Sequence, residues 1–344
     1  MLRSGMYSTT QPLGLTPILT VNDLHAEVRR PKIGFQPALA GLSLDLARGE
    51  ALGLVGESGC GKSLALRTIL GLHNRNEVVQ TRGEVYYDGQ RLGSDELSTL
   101  RGKYIGFIPQ DPLTALNPVM TVGDQVSETI RHHRQWTWGA SWNHAVHLLA
   151  QVGLVRPGEI ARTYPHQLSG GQRQRILIAI ALAGEPEVLL ADEPTTALDV
   201  TIQAQIVGLL HRLCRDHAMG LIFVSHDISL VSQLCARVSV VYAGRIVESG
   251  YTTTVLTHPQ HPYTQALIAS LPDHTSSGQR LPHLMGRTPS LGEWPEGCVF
   301  RTRCPRAQSQ CLTVPNTESL DSSEPHAVQC HFPGQAAALK NHHA

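Results

Sequence analysis

With 344 residues and 28 Lys and Arg set against 28 Asp and Glu, the chain has a formal net charge of zero and room for one large domain plus a smaller appendage. Such a balance lacks the strong basic stripe by which a nucleic-acid binder is usually known. The longest apolar run, about eight residues from Ile176 to Ala183, falls short of the roughly twenty needed to cross a bilayer, so any membrane pore must come from another chain.

Residues 1–17 are polar, contain Pro and show no periodicity, which predicts a loose tail. Arg3 is followed by Ser, Thr, Gln and Pro rather than an apolar core, so no signal peptide is expected. Residues 18–45 are expected to form antiparallel strands beside the loop that follows. That loop, Gly56-Glu57-Ser58-Gly59-Cys60-Gly61-Lys62-Ser63, has the spacing G-x-x-x-x-G-K-[ST], with an apolar run at Ala51 to Val55 before it and a helical run at Leu64 to Leu72 after it. Strand, glycine-rich loop and helix start are the parts of a phosphate cradle. Glycines let backbone N–H groups turn inward, and the helix N-terminus favours an anion. Lys62 is expected to reach the outer phosphates of a nucleotide and the Ser63 hydroxyl to ligate Mg²⁺; Cys60 reads as a small filler.

Farther on, Arg131-His132-His133-Arg134 is followed by Trp136, Trp138 and Trp142. Basic and aromatic residues can stack on single-stranded nucleic acid, but a docking surface for a protein partner is the preferred reading, with no nucleic acid. Leu168-Ser169-Gly170-Gly171-Gln172 opens a helix. Val188 to Ala191 reads as a buried parallel strand that ends in Asp192-Glu193-Pro194. Both carboxylates then sit at the C-terminal edge of an open sheet, where such folds bind ligands. Asp192 suits Mg²⁺, and Glu193 suits a water that must be polarised. Apolar Ile202, Ile206, Leu209, Leu210 and Leu213 recur at helical spacing after Asp199. A second apolar strand, Leu221 to Val224, ends in Ser225-His226-Asp227, which brings His226 toward the same edge. The alternation of helices and apolar strands predicts an α/β fold with a mainly parallel sheet.

From about Leu271 onward Pro, Ser, Gly and His become frequent, marking a boundary and a loop-rich extension. Of seven cysteines, Cys298, Cys304, Cys311 and Cys330 crowd into it, with five, six and eighteen residues between successive ones. That spacing is not the paired pattern of zinc ribbons. Four thiolates on irregular loops can hold an iron–sulfur cluster such as [4Fe-4S]; zinc and unmetallated thiols are the alternatives.

Taken together, these motifs resemble the ATP-binding cassette (ABC) ATPases from about Ile18 to Leu271. The resemblance implies a P-loop core that binds ATP with Mg²⁺, an antiparallel β subdomain, and a helical subdomain at about residues 111–170. It further implies that Ser169, Gly170, Gly171 and Gln172 grip the nucleotide held by a second subunit. Gln110, in Phe107-Ile108-Pro109-Gln110-Asp111-Pro112, resembles the family's glutamine loop, which senses Mg²⁺ and the γ phosphate. Ala197-Leu198-Asp199 resembles its D-loop, and His226 its switch histidine. The family's adenine-stacking aromatic is replaced by Val28, with Phe35 nearby.

Phe107 to Pro118, Tyr164 to Gln167, Ala191 to Ala204, His261 to Leu267 and the text around Cys298 to Pro305 are similar to the oligopeptide and dipeptide permease group. In some members of that group the tail carries an iron–sulfur site. The resemblance implies an importer's ATPase on the cytoplasmic face of the membrane, for short peptides or a related small chelate, with two permease subunits, a related second cassette and an external binding protein. Soluble cassettes of DNA repair or translation are the rival class, and a metal- or redox-regulated ATPase that senses through the cysteine tail is a third reading, against which intact Glu193 and His226 argue. Repair members carry a long insertion before the signature, and translation members usually carry two cassettes in one chain; here about a hundred residues separate Ser63 from Leu168 and there is one cassette.

Overall fold

The computed structural model describes residues 16–31, 33–73, 79–196, 198–270, 286–320 and 324–334. Most of the N-terminal segment expected to be a loose tail, Ala197, and residues 271–285 at the expected boundary therefore lie outside the described residues. In chain order, strands β1 (Pro17–Arg30), β2 (Gly34–Ala47) and β3 (Ala51–Val55) lead into helix α1 (Lys62–Ile69). There follow β4 (Val79–Tyr87), β5 (Gln90–Arg91), α2 (Ser94–Leu100) and β6 (Ile105–Ile108). A helical stretch comes next: α3 (Pro112–Ala115), α4 (Val122–Arg134), α5 (Trp138–Gln151), α6 (Pro157–Ile160) and α7 (Gly170–Leu182). The core closes with β7 (Val188–Asp192), α8 (Val200–His217), β8 (Gly220–Ser225), α9 (Ile228–Leu234), β9 (Arg237–Tyr242), β10 (Arg245–Tyr251), α10 (Thr252–Thr257) and α11 (Pro262–Ala269). The C-terminal extension adds β11 (Glu318–Ser319) and β12 (His326–Val328).

Two sheets organise these elements. The first is antiparallel, in the order β2-β1-β4-β5, as expected for residues 18–45. Leu42, Leu44 and Leu46 of β2 are buried at alternate positions, the period of a strand with one face on the core. Asp45, between two of them, is also buried. Its carboxylate takes a two-pronged contact from Arg237 at 3.0 and 3.2 Å, which Arg237 shares with Glu50 at 3.0 Å. The second sheet runs β11-β12-β10-β9-β3-β8-β7-β6, with β9, β3, β8, β7 and β6 parallel. Its centre is apolar along the whole strand: every residue of β7 and β8 is buried. That is the composition a strand needs when helices cover both faces. Helix α8 contributes Ile206, Leu209, Leu210 and Leu213 to this core, the face its periodicity predicts.

The extension does not stand apart from the core. β12 pairs antiparallel with β10, so the tail lengthens the central sheet. Glu248 of β10 is fully buried and accepts hydrogen bonds from the backbone N–H groups of Gln260 (2.8 Å) and His261 (2.9 Å), and lies 2.8 Å from Nε2 of the tail's His326. A buried carboxylate without such partners would be strongly destabilising, so these bonds fix the edge where the tail joins.

His261 caps α11, its Nδ1 accepting the Tyr263 N–H at 3.0 Å. Complete burial, with a smaller contribution from Arg306, lowers its pKa to about 3. The cap needs the neutral ring. Because the folded value lies below the ordinary one of about 6.5, the stabilisation is fully present above that pH and is lost as the pH falls toward the folded value. His261→Asn retains an acceptor and does not titrate in this range. It is expected to flatten the acid limb of a melting-temperature profile below about pH 6.5; an unchanged limb would show that other groups dominate it.

Candidate nucleotide-binding site

β3 lies between β8 and β9 and delivers the loop at its C-terminal end, as the strand, loop, helix order of the sequence predicts. Two glycines are required there by space and by backbone angle. A Cβ on Gly56 would come within 2.2 Å of the Val241 carbonyl oxygen, and Gly61, which caps α1, has φ 107°. Ser58 and Gly59 form the exposed tip, while Cys60 is buried beneath it with its thiol 3.8 Å from Lys62 Nζ. Burial raises the Cys60 pKa, consistent with its role as a small filler. Lys62 is almost fully buried, and its ammonium donates to the carbonyls of Gly56 (2.7 Å) and Glu57 (3.0 Å). An anionic phosphate could compete for both donors.

Opposite the loop, β7 ends in Asp192 and Glu193. Asp192 accepts from Ser63 Oγ at 2.7 Å. Burial is the main cause of its raised pKa, with Glu193 adding to it and Ser63 opposing. A hydroxyl and a buried carboxylate in contact are the donor set that a hard cation bound through oxygen prefers, so the residues present fit Mg²⁺. Glu193 adopts φ 44°, a conformation uncommon outside glycine and frequent at functional sites. Its N–H donates to the Val224 carbonyl at 3.1 Å, tying the turn to β8. Three groups address one oxygen of its carboxylate. Thr196 Oγ1 donates at 2.9 Å, Gln110 Nε2 donates at 3.4 Å, and His226 Nδ1 lies at 3.2 Å. Lys62 Nζ is 3.7 Å from the other oxygen. Lys62, Ser63, Gln110, Asp192, Glu193 and His226, drawn from four separate chain segments, thus converge on one edge.

Ser169, Gly170, Gly171 and Gln172 do not join them. Ser169 caps α7: its hydroxyl accepts the Gln172 N–H at 3.3 Å, and the Gln172 side chain accepts the Ser169 N–H at 2.9 Å. This reciprocal box aims a helix N-terminus outward from an exposed Ser169. A Cβ on Gly171 would lie 2.8 Å from Ile202 Cγ2 and one on Gly170 3.3 Å from Leu198 Cδ2, so both glycines serve close packing against the start of α8. Asp199, also exposed, caps α8 by accepting the Ile202 N–H at 3.0 Å. Val28 and Phe35 are half-buried near the β1–β2 turn.

Sequence reasoning missed the residues that bind the loop from behind. Glu57 donates its N–H to Tyr263 Oη at 2.8 Å, and its carboxylate receives Arg303 at 2.6 and 3.0 Å and Thr288 Oγ1 at 2.5 Å. Thr288 and Arg303 belong to the C-terminal extension. The resemblances around Tyr263 and around Cys298 to Pro305 took in two of the three, and nothing in either pointed to the loop.

The cysteine cluster needs correction. Cys298, Cys304, Cys311 and Cys330 do gather, with the Cys298 N–H donating to the Cys311 carbonyl at 3.0 Å. Yet among the described residues no group of three or more His, Cys, Asp or Glu side chains is arranged to hold a metal ion. Burial, with the neighbouring cysteines adding to it, pushes the Cys298 thiol up to about 11, and burial raises Cys304 and Cys330 as well. Cys298 and Cys304 pack against the apolar core that holds Val299 and Phe300. The iron–sulfur expectation is not supported.

Comparison with known proteins agrees with this geometry. The ABC transporter family model matches residues 39–196, and that of the oligopeptide/dipeptide transporter C-terminal region matches residues 247–311. The dipeptide transport ATP-binding protein DppD of Bacillus subtilis is 41% identical over 323 residues, covering 93% of this chain and 96% of that protein. The probable D,D-dipeptide transport ATP-binding protein DdpD of Escherichia coli is 39% identical over 325 residues, 93% of this chain and 98% of its own length. Among solved structures, the dimeric bacterial ABC transporter cassette MJ0796 is 29% identical, with a TM-score of 0.60 over 68% of this chain and 98% of that one. The convergent edge, the outward-facing signature helix and these likenesses lead to one assignment: the chain belongs to the ATP-binding subunits of the ABC transporters, in the oligopeptide/dipeptide transporter family.

Proposed function

We propose that the chain drives uptake of dipeptides or short oligopeptides by binding and hydrolysing ATP at the cytoplasmic face of the membrane. It works with two permease subunits, a second and related cassette, and an extracytoplasmic binding protein. Residues 18–270 form the ATPase unit, with its helical subdomain at 111–170, and residues 271–344 form the extension.

In this reading the loop from Gly56 to Ser63 cradles the phosphates with its N–H groups, and Lys62 pairs with the outer ones. Ser63, Asp192 and Gln110 hold Mg²⁺, which supplies positive charge to the transferring phosphoryl group. Glu193 orients and polarises the attacking water, and His226 contacts the γ phosphate. Ser169 to Gln172 and Asp199 act on the nucleotide held by the partner cassette. The observation that carries the proposal is the division of the chain into two halves of a site. Lys62, Ser63, Gln110, Asp192, Glu193 and His226 share one edge, while Ser169 opens a capped helix toward solvent.

Among the described residues no helix is long and apolar enough to cross a membrane, in keeping with a pore built by other chains. Exposed Leu113, Val119, Trp136, Trp138, Val155 and Tyr164 are concentrated on the helical subdomain, as on a surface that docks an apolar partner. Arg131 and Arg134 lie over the Trp138 and Trp136 rings at 5.5 and 5.2 Å. Cations already stacked on their own indoles favour docking over nucleic-acid binding.

The test is isolation of the tagged chain from detergent-solubilised membranes, followed by assay of its ATPase. Two membrane-spanning chains and a second cassette are expected to co-purify, with hydrolysis stimulated by a dipeptide-loaded binding protein. A chain that purifies alone, with an ATPase stimulated by nucleic acid instead, would overturn the proposal.

A further inference from the structure

Glu57 is an acidic residue in a loop built to hold polyphosphate, and its charge needs explaining. Its backbone carbonyl accepts from Lys62 Nζ at 3.0 Å, so the carboxylate and the ammonium belong to the same short loop. Left alone, the carboxylate would repel phosphate and compete with it for Lys62. The C-terminal extension prevents this. Arg303, only 4% exposed, grips both carboxylate oxygens of Glu57, at 2.6 and 3.0 Å. Thr288 Oγ1 donates to one of them at 2.5 Å, and Tyr263 Oη accepts the Glu57 N–H at 2.8 Å. Arg303 is itself braced by the Tyr242 hydroxyl at 3.4 Å and lies 5.7 Å over the Tyr242 ring. Tyr242, Tyr263 and Phe300 pack as a triad with ring centroids 4.7 to 5.5 Å apart, which sets the extension firmly behind the loop.

We propose that Arg303 is a positioning residue for the nucleotide site: by pairing with Glu57 it turns that carboxylate away from Lys62, leaving the Lys62 charge for the phosphates of ATP. The extension is thereby part of the nucleotide site, reaching across 246 positions of sequence. The protonation behaviour of Glu57 agrees. Burial would raise its pKa, but the hydrogen bonds from Arg303 and Thr288 outweigh burial and bring it below the ordinary carboxylate value. A two-pronged guanidinium contact suits this task, because it fixes direction as well as charge.

The inference rests on the nucleotide site proposed above and is tested on the full chain by direct titration with ATP, with turnover at saturating ATP measured in the complex. Arg303→Met is expected to weaken ATP binding on the order of tenfold, with saturated turnover nearly unchanged. Adding Glu57→Gln, which removes the unpaired carboxylate, should restore most of the affinity. A role confined to docking the tail would not be rescued in this way. Should Arg303→Met fail to fold, Arg303→Gln carries the expected loss of affinity and Glu57→Gln/Arg303→Gln the expected rescue. Wild-type affinity in the single variant, or failure of Glu57→Gln to rescue it, overturns the proposal. Absence of ATP binding by the unaltered chain as well would instead refute the nucleotide site on which it rests.

Discussion

Glu193→Gln is expected to bind ATP and hydrolyse it about 10² to 10⁴ times more slowly than the unaltered chain. The substitution keeps the shape of a side chain that Thr196, Gln110 and His226 all address at one oxygen. What it removes is the ability to accept a proton and polarise water. Because the turn is held by the Glu193 N–H bond to Val224 and by φ 44°, neither of which depends on the carboxylate, the local structure should survive. ATP that is bound but not consumed should then keep the paired cassettes together, since a ligand shifts an association only by binding the associated state better. Size-exclusion chromatography of the variant with its partner cassette, with and without ATP, measures the pairing, and phosphate release measures the turnover. Turnover at the unaltered rate would remove Glu193 from the catalytic role.

Ser169→Arg should act on the other half of the site. It replaces the cap of α7, at a cost of about 1 kcal/mol to the helix. It also sets a cation at a helix N-terminus whose dipole already favours anions. No hydrogen bond or ion pair links Ser169 to the phosphate loop among the described residues, so ATP affinity of the isolated chain should change by no more than about twofold. Turnover of the paired cassettes should fall by roughly 10² or more, as when a preorganised donor to a transition state is lost. Equal losses in both measurements would mean that the signature acts within its own chain, and the two-half model would fail.

The legible parts of the site were those whose chemistry is contiguous. A phosphate loop needs its glycines, Lys62 and Ser63 within eight positions, and a strand ending in Asp192-Glu193 needs only the apolar run before it. Each can be read locally because backbone geometry and hydrogen bonding over a few residues create the function. The fold class followed for a similar reason, since β7 and β8 are apolar throughout and α8 keeps its apolar residues on one face. The cysteines misled because clustering in sequence reports proximity but not geometry. Cys298 and Cys304 pack against the core that holds Val299 and Phe300, and among the described residues no three His, Cys, Asp or Glu side chains are arranged around one ion.

The sequence by itself therefore determined the core fold and the family to which the chain belongs, and it named the residues of the candidate nucleotide site. The tertiary structure alone decided that Gln110, Glu193, Thr196 and His226 meet at one oxygen, that Ser169 caps α7 from an exposed position, and that the extension joins the sheet and contacts Glu57 of the loop. β12 reaches β10 because strand pairing satisfies a sheet edge, and Arg303 reaches Glu57 because two charges withdrawn from water must find one another. Such partners lie far apart in the chain and leave no periodic or local signature, and only the packed molecule brings them together.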